Sequence, residues 1–301
     1  MEIRREEVRV GGFDGATLAA TLVMRGDRPA RATPHDEPAP LVLLPGHLRS
    51  ARSLEGLAER LLARPDGPVR IALIDYRGRG ASAPRKDASL YTPRAEAQDV
   101  VSVLDALGWH HIDIVGSARG GLVAFCLAAI RPALVRRLVL GDIGPELDGV
   151  GLARLKTHAA RTDRPNDWAA AVAALRKRFE GRFPALEEQD FEAIAQSTYR
   201  DADSALEPIV HDSVLKHYAA IDADERYPTL WPEFRALRRR PILLLRAEHS
   251  DMLNDAIVER MRREHGELTV HDVDGQGHAP VLDRDGLPER IAAFLADDER
   301  S

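Results

Sequence analysis

Seven residues near the middle of the chain read Val115-Gly116-Ser117-Ala118-Arg119-Gly120-Gly121. An apolar run at residues 112–115 leads into the glycines, and a second apolar run follows at residues 122–129. A short buried strand, a tight glycine turn and a helix in this order match the G-x-S-x-G nucleophile elbow. The central position of this elbow holds Ala118, whose methyl group cannot attack a carbonyl carbon. The segment therefore predicts the backbone of a nucleophile elbow without its nucleophile.

The composition is that of an ordinary globular enzyme. The chain has 301 residues, of which 44% are hydrophobic and 30% charged, with a formal net charge of −6. The acidic balance argues against binding to nucleic acid. No apolar run approaches the roughly 18 residues that a membrane span needs, and the charged N-terminus lacks the apolar core of a signal peptide. We therefore expect a cytoplasmic protein that binds neither nucleic acid nor membrane, either a monomer or a homodimer.

Cysteine usage and motif content indicate no bound metal or organic cofactor. Cys126 is the single cysteine of the sequence, which excludes an internal disulfide and a cysteine-based metal site. It falls on the apolar run after the elbow, where buried packing is the expected role. We therefore expect a protein without cofactor and without metal.

Strand-like and helix-like segments alternate along the chain and then stop alternating. Short branched apolar runs at residues 41–44, 70–74 and 112–115 predict buried strands with helices between them. This alternation predicts an α/β fold with a doubly wound, mainly parallel sheet. Residues 145–237 contain no convincing strand and show helical spacing, so we expect a helical cap there, inserted into a core of residues 1–144 and 238–301. A proline-rich stretch at residues 28–40 predicts a surface loop.

Three further candidate sites follow strands, where open parallel sheets bind their ligands. The first is Gly46-His47, where a glycine after a strand lets the backbone turn and aim an N–H into the crevice. An oxyanion hole needs two such donors. The backbone N–H groups of His47 and Arg119, the latter directly after the elbow position, are the natural pair.

The other two sites offer an acid and a base. Asp251 follows the strand-like run at residues 241–245 and is our candidate for the carboxylate that orients a histidine. Glu248 and Asp142 are the competing carboxylates. His278 lies in a glycine-flanked loop after the last predicted strand and is the candidate base. Nucleophile position, acid and histidine then follow one another in this order along the chain.

Four motifs, in order and at familiar spacing, resemble the α/β-hydrolase superfamily over nearly the whole chain. They are Leu44-Pro45-Gly46-His47, Asp75-Tyr76-Arg77-Gly78-Arg79-Gly80-Ala81-Ser82, the elbow itself, and Leu138-Val139-Leu140-Gly141-Asp142-Ile143-Gly144-Pro145. Pro45 stands where the family usually has histidine, and Ala118 where it usually has serine. The resemblance implies a serine hydrolase with a Ser-His-Asp triad that cleaves carboxylic esters or lactones through an acyl-enzyme.

Ala118 leaves three interpretations open. The first, which we favour, is an enzyme disabled by a Ser→Ala change, because the other catalytic positions look intact. The second is a natural pseudo-hydrolase that binds a small ligand without turnover. The third is a dehalogenase or epoxide hydrolase whose aspartate nucleophile was replaced, in which Tyr199, Tyr218 and Tyr227 would serve as cap tyrosines. Ser117 lies one residue too early to be exposed at the elbow.

The substrate pocket is the least determined part of the prediction. In this superfamily the cap usually builds the pocket for the acyl or alcohol group. The candidate pocket residues here are Leu48, His217, Tyr218 and Trp231. An arginine run at residues 238–240 reads as a solvated turn before a strand rather than as an anion site. We expect a small ester or lactone as the substrate.

Overall fold

The computed structural model describes residues 2–26, 38–160, 163–203, 205–220 and 227–296. Most of the predicted surface loop, residues 28–37, lies outside this part of the chain. Within it the strands are β1 Ile3–Gly11, β2 Thr17–Arg25, β3 Leu41–Leu44, β4 Arg70–Ile74, β5 Ile112–Ser117, β6 Val135–Gly141, β7 Tyr199–Asp201, β8 Leu206–Pro208, β9 Ile242–His249 and β10 Leu268–Gly277. The helices are α1 Glu55–Ala63, α2 Pro93–Leu107, α3 Arg119–Ile130, α4 Gly149–Ala160, α5 Trp168–Phe179, α6 Glu188–Thr198, α7 Asp212–Ala219, α8 Trp231–Ala236, α9 Asp255–Glu264 and α10 Leu287–Ala296.

Eight of these strands form one sheet in the order β1-β2-β4-β3-β5-β6-β9-β10. Strand β2 runs antiparallel to both of its neighbours, and the pairs from β4 to β10 are parallel. The predicted doubly wound, mainly parallel sheet is confirmed. Strand β5 lies between β3 and β6, so the elbow that follows it emerges near the middle of the sheet.

Helices cover both faces of the sheet and define two apolar layers. One layer packs α2, α3 and α8 against side chains such as Val42, Ile114 and Leu140. The other packs α1 and α10 against alternate residues of the same strands, such as Leu43 and Val115. Strand residues that are buried on both faces explain the continuous apolar runs in the sequence.

Local sequence sets the bounds of α2, the helix that carries a buried carboxylate beneath the site. The Thr92 hydroxyl accepts a hydrogen bond from the Ala95 N–H at 3.2 Å, and Pro93 occupies the first helical position. The helix ends at Gly108, which adopts a left-handed conformation with φ of 68°. A fixed helix start holds Glu96, fully buried in the first turn, at a defined place.

Between β6 and β9 lies an inserted segment, residues 145–237, which contains α4 to α8. The segment also contains a hairpin of β7 and β8, which the sequence did not predict because each strand has only three residues. Its last helix, α8, packs on the main core, where the ring centres of Phe234 and of Phe125 in α3 lie 5.6 Å apart. In the part of the chain that the structure describes, no helix is long and apolar enough to cross a membrane.

Candidate active site

The elbow at the end of β5 makes the tight turn that its sequence predicts, and its backbone is strained at the central residue. Ala118 has φ of 46° and ψ of −111°, an unfavourable conformation for a residue with a side chain. Its N–H donates to the Gly141 carbonyl at 2.8 Å, and its own carbonyl accepts from the Gly121 N–H at 2.9 Å. These bonds hold residue 118 at the top of the turn. Ser117 instead closes β5, paired in register with Gly141 of β6.

Two glycines allow α3 to approach the sheet closely enough to form this turn. A Cβ atom on Gly116 would lie 2.5 Å from the Gly120 carbonyl carbon, and one on Gly120 would lie 2.2 Å from the Leu44 carbonyl oxygen. Neither contact is with a flexible side chain, so the backbone itself would have to move. The glycines of the motif are therefore required by packing, independently of catalysis.

We expect the substitution Gly120→Ala to destabilise the fold by about 3 kcal/mol or more, the upper range for overpacked sites. The Cβ would meet the backbone of β3, which is held on both sides by sheet hydrogen bonds. Gly149→Ala is the matched control, because a Cβ there meets nothing within 4 Å. Urea unfolding of both variants measures the difference, and equal midpoints would contradict the packing argument.

His278 follows β10 and meets a carboxylate at the neighbouring strand ends. Its Nδ1 lies 3.0 Å from Oδ2 of Asp142, which is fully buried. The other carboxylate oxygen, Oδ1, accepts from the Ala247 N–H at 3.0 Å. Asp142 has φ of 53°, a left-handed conformation that aspartate tolerates better than most residues. The sharp turn after β6 thus fixes a buried acid against the imidazole, and the two groups can act as an oriented base.

Asp251, the carboxylate predicted to orient the histidine, has a different partner. Both of its oxygens accept hydrogen bonds from the Arg154 guanidinium, Oδ1 at 2.7 Å. Helix α4 packs its Gly151 against the Asp251 backbone, which brings Arg154, one turn later, to the carboxylate. Burial raises the pKa of Asp251, but the bond and charge of Arg154 outweigh burial and lower it. The predicted contact is therefore corrected: the acid that touches His278 is Asp142.

Glu248, the second competing acid, supports the histidine loop instead. Its carboxylate accepts from the Gly275 N–H at 2.7 Å. Gly275 has φ of 64°, and its carbonyl accepts a hydrogen bond from the Ala185 N–H at 3.0 Å. Two hydrogen bonds therefore fix the glycine-flanked loop, one to Glu248 of β9 and one to Ala185 of the inserted segment. Together they hold the loop that carries His278.

The predicted oxyanion donors both lie beside the elbow. A Cβ on Gly46 would lie 3.8 Å from Ala118 Cβ, so the turn after β3 touches the nucleophile position. The carbonyl of His47 accepts from Arg79 Nε at 2.7 Å, which fixes this peptide. Arg119 is the first residue of α3, where a backbone N–H has no acceptor within the helix. Two backbone donors can therefore face a charge that develops near residue 118.

A buried ionic network lies beneath the turn at Gly46-His47. Glu96 accepts from Arg79 at 2.9 Å and from Arg119 at 2.5 Å, and all three side chains are fully buried. Arg119 Nη2 also donates to the Tyr91 carbonyl at 2.9 Å. Removing one member would leave an uncompensated buried charge, which typically costs about 3–5 kcal/mol. The network explains the second arginine of the motif at residues 75–82.

The His47 side chain is held neutral within this network. Burial, together with the positive charges of Arg119 and Arg79, keeps its pKa well below the usual value. Its ring meets Tyr218 edge-on at 5.1 Å. Among the described residues its buried Nε2 has no hydrogen-bond partner. A neutral His47 contributes its backbone to the site, not a charge.

A cavity of about 420 Å³ opens over Ala118 and His278, within the usual size of small-molecule sites. The core contributes His47 and Leu48, the latter as predicted. The inserted segment contributes the opposite wall, with apolar side chains that include Leu155, Leu175, Phe179, Ile194 and Leu215. A cavity of this size beside the elbow has room for a small substrate.

Three predicted pocket residues do not line this cavity. Tyr218 is fully buried, and its hydroxyl accepts from Arg79 at 3.2 Å. His217 packs against the Tyr91 ring at 5.8 Å, and burial lowers its pKa. Trp231 belongs to the core: its indole N–H donates to Glu146 at 2.8 Å, and the Arg260 guanidinium stacks 3.8 Å from its ring. Aromatic residues of the segment that returns to the sheet serve packing here.

The cavity wall also has a polar part, whose residues were not among the predicted site residues. This wall contains Arg49, Arg154, His158 and Arg178. Arg154 and His158 lie four residues apart on α4, so they share one helix face. That spacing was the one signal in the sequence, but it does not show which face of α4 meets the cavity. The arginine run at residues 238–240 lies elsewhere, near Pro132 and Ala133.

His158 should make the fold less stable in acid. Burial, and then the charges of four arginines around it, lower its pKa from 6.5 to about 3. The unfolded chain therefore takes up a proton below about pH 6.5 that the folded chain refuses, so stability falls as the pH drops from 6.5 towards 3. The full pKa shift would lower the free energy of unfolding by about 2 kcal/mol at pH 5. Partial exposure of His158 to solvent reduces this effect to about 1 kcal/mol.

Urea unfolding at pH 7 and pH 5 measures this contribution. We expect the His158→Gln variant to lose about 1 kcal/mol less than the parent between these pH values. The exposed His110 offers a matched control, and His110→Gln should retain the parent's loss. Equal losses in the parent and the His158→Gln variant would contradict the assignment.

Comparisons with known proteins agree with this architecture. The sequence model of a family described as "alpha/beta hydrolase fold" matches residues 39–285. A 3-hydroxybutyrate-oligomer hydrolase of Cupriavidus necator is 27% identical over 267 residues, covering 81% of this chain and 84% of the relative. An esterase of Mycobacterium tuberculosis is 29% identical, covering 70% of this chain and 69% of the relative.

Solved structures are similar over almost the whole chain. A crystal structure of an alpha/beta hydrolase from Novosphingobium aromaticivorans has a TM-score of 0.84 and 28% identity, covering 97% of this chain and 98% of the other. The structure of E-2-(acetamidomethylene)succinate hydrolase has a TM-score of 0.76, covering 97% and 99% of the two chains. At 23% identity, the second likeness shows the fold alone.

Proposed function

Because the chain belongs to the α/β-hydrolase fold family, we propose that its site is that of a carboxylic ester or lactone hydrolase with position 118 as the nucleophile position. The observation that carries the proposal is the contact of His278 with the buried Asp142 at 3.0 Å, beside the same cavity as the elbow. Its hydrolase relatives support the class of reaction: one is named for 3-hydroxybutyrate oligomers and another as an esterase.

With serine at position 118, each residue of the site would have a distinct role in ester hydrolysis. His278 takes the serine proton as Oγ attacks the ester carbonyl, and Asp142 stabilises the imidazolium that forms. The N–H groups of His47 and Arg119 bind the oxyanion of the tetrahedral intermediate. The imidazolium then gives its proton to the alcohol that leaves, and an acyl-enzyme remains. Water, activated by the same imidazole, hydrolyses the acyl-enzyme and releases the acid.

Ala118 stops this sequence at its first step. We propose that the chain is the disabled form of a serine hydrolase, since the base, the acid and the oxyanion turn retain a complete arrangement around the missing hydroxyl. The second candidate function is a natural pseudo-hydrolase that binds a small ester without turnover, which Ala118 itself favours. An aspartate nucleophile, as in a dehalogenase or epoxide hydrolase, has less support: the Tyr218 hydroxyl is engaged with Arg79, and of the three cap tyrosines named for this reading only Tyr199 is among the described residues that line the cavity.

We propose that residues 145–237 act as the cap that closes the substrate cavity. Side chains of α4, α5, α6 and α7 line the wall opposite Ala118. The cap also touches the histidine loop, where the Ala185 N–H donates to the Gly275 carbonyl. Its last helix, α8, belongs by packing to the core, so the part of the cap that covers the cavity would end before residue 231.

The direct test is the Ala118→Ser variant, assayed with short p-nitrophenyl esters and with a fluorophosphonate probe. Ester turnover by the Ala118→Ser variant, together with labelling of residue 118 by the probe, supports the proposed hydrolase function. A folded variant that shows neither contradicts it and leaves the ligand-binding alternative.

A further inference from the structure

Four arginines lie around His158 of the cavity wall, and we call them the arginine cluster: Arg49, Arg154, Arg178 and Arg182. The first three line the cavity. They come from the turn after β3, from α4, from α5 and from the loop after α5. The charge of each of them lowers the pKa of His158, so the four guanidinium groups lie near one point of the cavity wall. Such clustering of positive charge is costly unless an anion offsets it.

The carboxylates beside the arginine cluster do not balance it. Asp251 binds Arg154 through both oxygens and lies 3.8 Å from Arg182. Asp163 accepts from Arg178 at 2.7 Å. Four guanidinium groups thus face two carboxylates, and two positive charges remain without a counter-ion in this group.

Arg49 is the member that has no carboxylate partner. Its guanidinium donates to the Thr198 hydroxyl, and among the residues that the structure describes no Asp or Glu oxygen lies within 4 Å of it. Thr198 in turn donates to the Ile194 carbonyl at 2.6 Å, so its oxygen is free to accept. Burial, and then the charge of Arg178, lower the pKa of Arg49 to about 10. The group remains charged at neutral pH and is held in place by a neutral acceptor.

The position of Arg49 ties this unpaired charge to the reaction centre. A Cβ built on Gly46 would lie 3.7 Å from Arg49 Cγ and 3.8 Å from Ala118 Cβ. Arg49 and Ala118 therefore flank the same glycine, and both line the cavity. An ester held at position 118 would therefore share its cavity with the Arg49 side chain.

The cavity is also lined by three other carboxylates, Asp190, Asp283 and Glu55. Asp190 pairs with Arg284. Asp283 lies over Gly56 at the start of α1, and burial raises its pKa. Glu55 is on the same helix. Among the described residues, none of these three carboxylates forms an ion pair with a member of the arginine cluster, so the excess charge of the cluster remains.

We propose that the substrate of this site carries a carboxylate that pairs with Arg49, so that the enzyme acts on half-esters of dicarboxylic acids or on acidic esters of similar length. This inference rests on the proposed ester hydrolase function. A planar guanidinium binds a carboxylate through two parallel bonds, as Arg154 and Asp251 already do here. The apolar wall of Leu155, Leu175 and Phe179 accommodates the carbon chain between the two ends of the substrate.

Binding to the Ala118 protein tests the proposal without any need for turnover. Isothermal titration calorimetry would compare monomethyl glutarate with the neutral dimethyl glutarate and with methyl phosphate. We expect the monoanionic half-ester to bind at least ten-fold more tightly than the diester. Arg49→Gln should remove this preference, and Arg49→Lys should retain part of it. Arg9→Gln, at the far edge of the sheet and exposed, should leave it unchanged.

Each outcome decides between the two proposals. Equal binding of half-ester and diester, or a preference that survives Arg49→Gln, overturns the carboxylate site. Tighter binding of methyl phosphate than of monomethyl glutarate also overturns it, in favour of a phosphate site. If the binding preference holds but the Ala118→Ser variant hydrolyses neither ester, the proposed hydrolase function fails and the anion site stands as that of a binding protein.

Discussion

Placing serine at position 118 should raise the rate of p-nitrophenyl butyrate hydrolysis by about 10⁴–10⁶-fold over the Ala118 protein, because removal of a serine nucleophile costs on the order of 10⁶-fold in a comparable triad. The elbow already holds residue 118 in its strained conformation. The base, His278, is already fixed by Asp142. Serine adds one oxygen to a methyl group in the cavity, so the substitution requires no change in packing. Steady-state kinetics of the two proteins measure the ratio.

Three control variants make this result specific. The double variant Ala118→Ser, His278→Ala should lose fluorophosphonate labelling, since the hydroxyl then has no base. Ser117→Ala in the restored chain should keep most of the activity, because Ser117 closes β5 opposite Gly141. Ala118→Asp, tested with haloalkanes and epoxides, addresses the aspartate alternative. Labelling that persists without His278 would contradict the assignment of the base.

The sequence was informative where function depends on the backbone. Gly116 and Gly120 are required by contacts with the main chain at 2.5 and 2.2 Å, so no other residue fits and the pattern is visible in the sequence. The same holds for the loop at Gly275, where the backbone is left-handed. The fold, the elbow and the place of His278 at the end of β10 could therefore be predicted.

The sequence was less informative where function depends on which side chains meet. Asp142 and Asp251 both follow a strand and both precede His278, so chain order does not separate them. The sheet order does: β6 adjoins the elbow strand, whereas β9 lies one strand further out. Arg154 then binds Asp251 from an inserted helix, and no spacing rule links residues 97 positions apart. Arg49 was missed for the same reason, since its role depends on having no acidic partner.

In the serine-restored chain, Asp142→Asn should lower kcat for a neutral ester by about 10³–10⁴-fold, whereas Asp251→Asn should change it by less than about five-fold. An asparagine at position 142 keeps the size of the side chain but removes the charge that stabilises the imidazolium, and its amide favours the wrong tautomer of His278. Asp251 touches Arg154 and Arg182 instead. We therefore expect Asp251→Asn to change the KM for anionic half-esters, through the arginine cluster, and to leave kcat for neutral esters nearly unchanged.

The two variants also differ in their dependence on pH, which separates a triad acid from a residue that merely supports the fold. Because Asp142 contacts the imidazole directly, Asp142→Asn should shift the pH profile of kcat/KM as well as its height. Asp251→Asn should leave the profile in place. If Asp251→Asn lost most of its kcat on the neutral ester while Asp142→Asn kept most of its own, the catalytic acid would be Asp251, as the sequence first indicated. Circular dichroism of both variants controls for folding, since Asp142 also accepts the Ala247 N–H that joins β6 to β9.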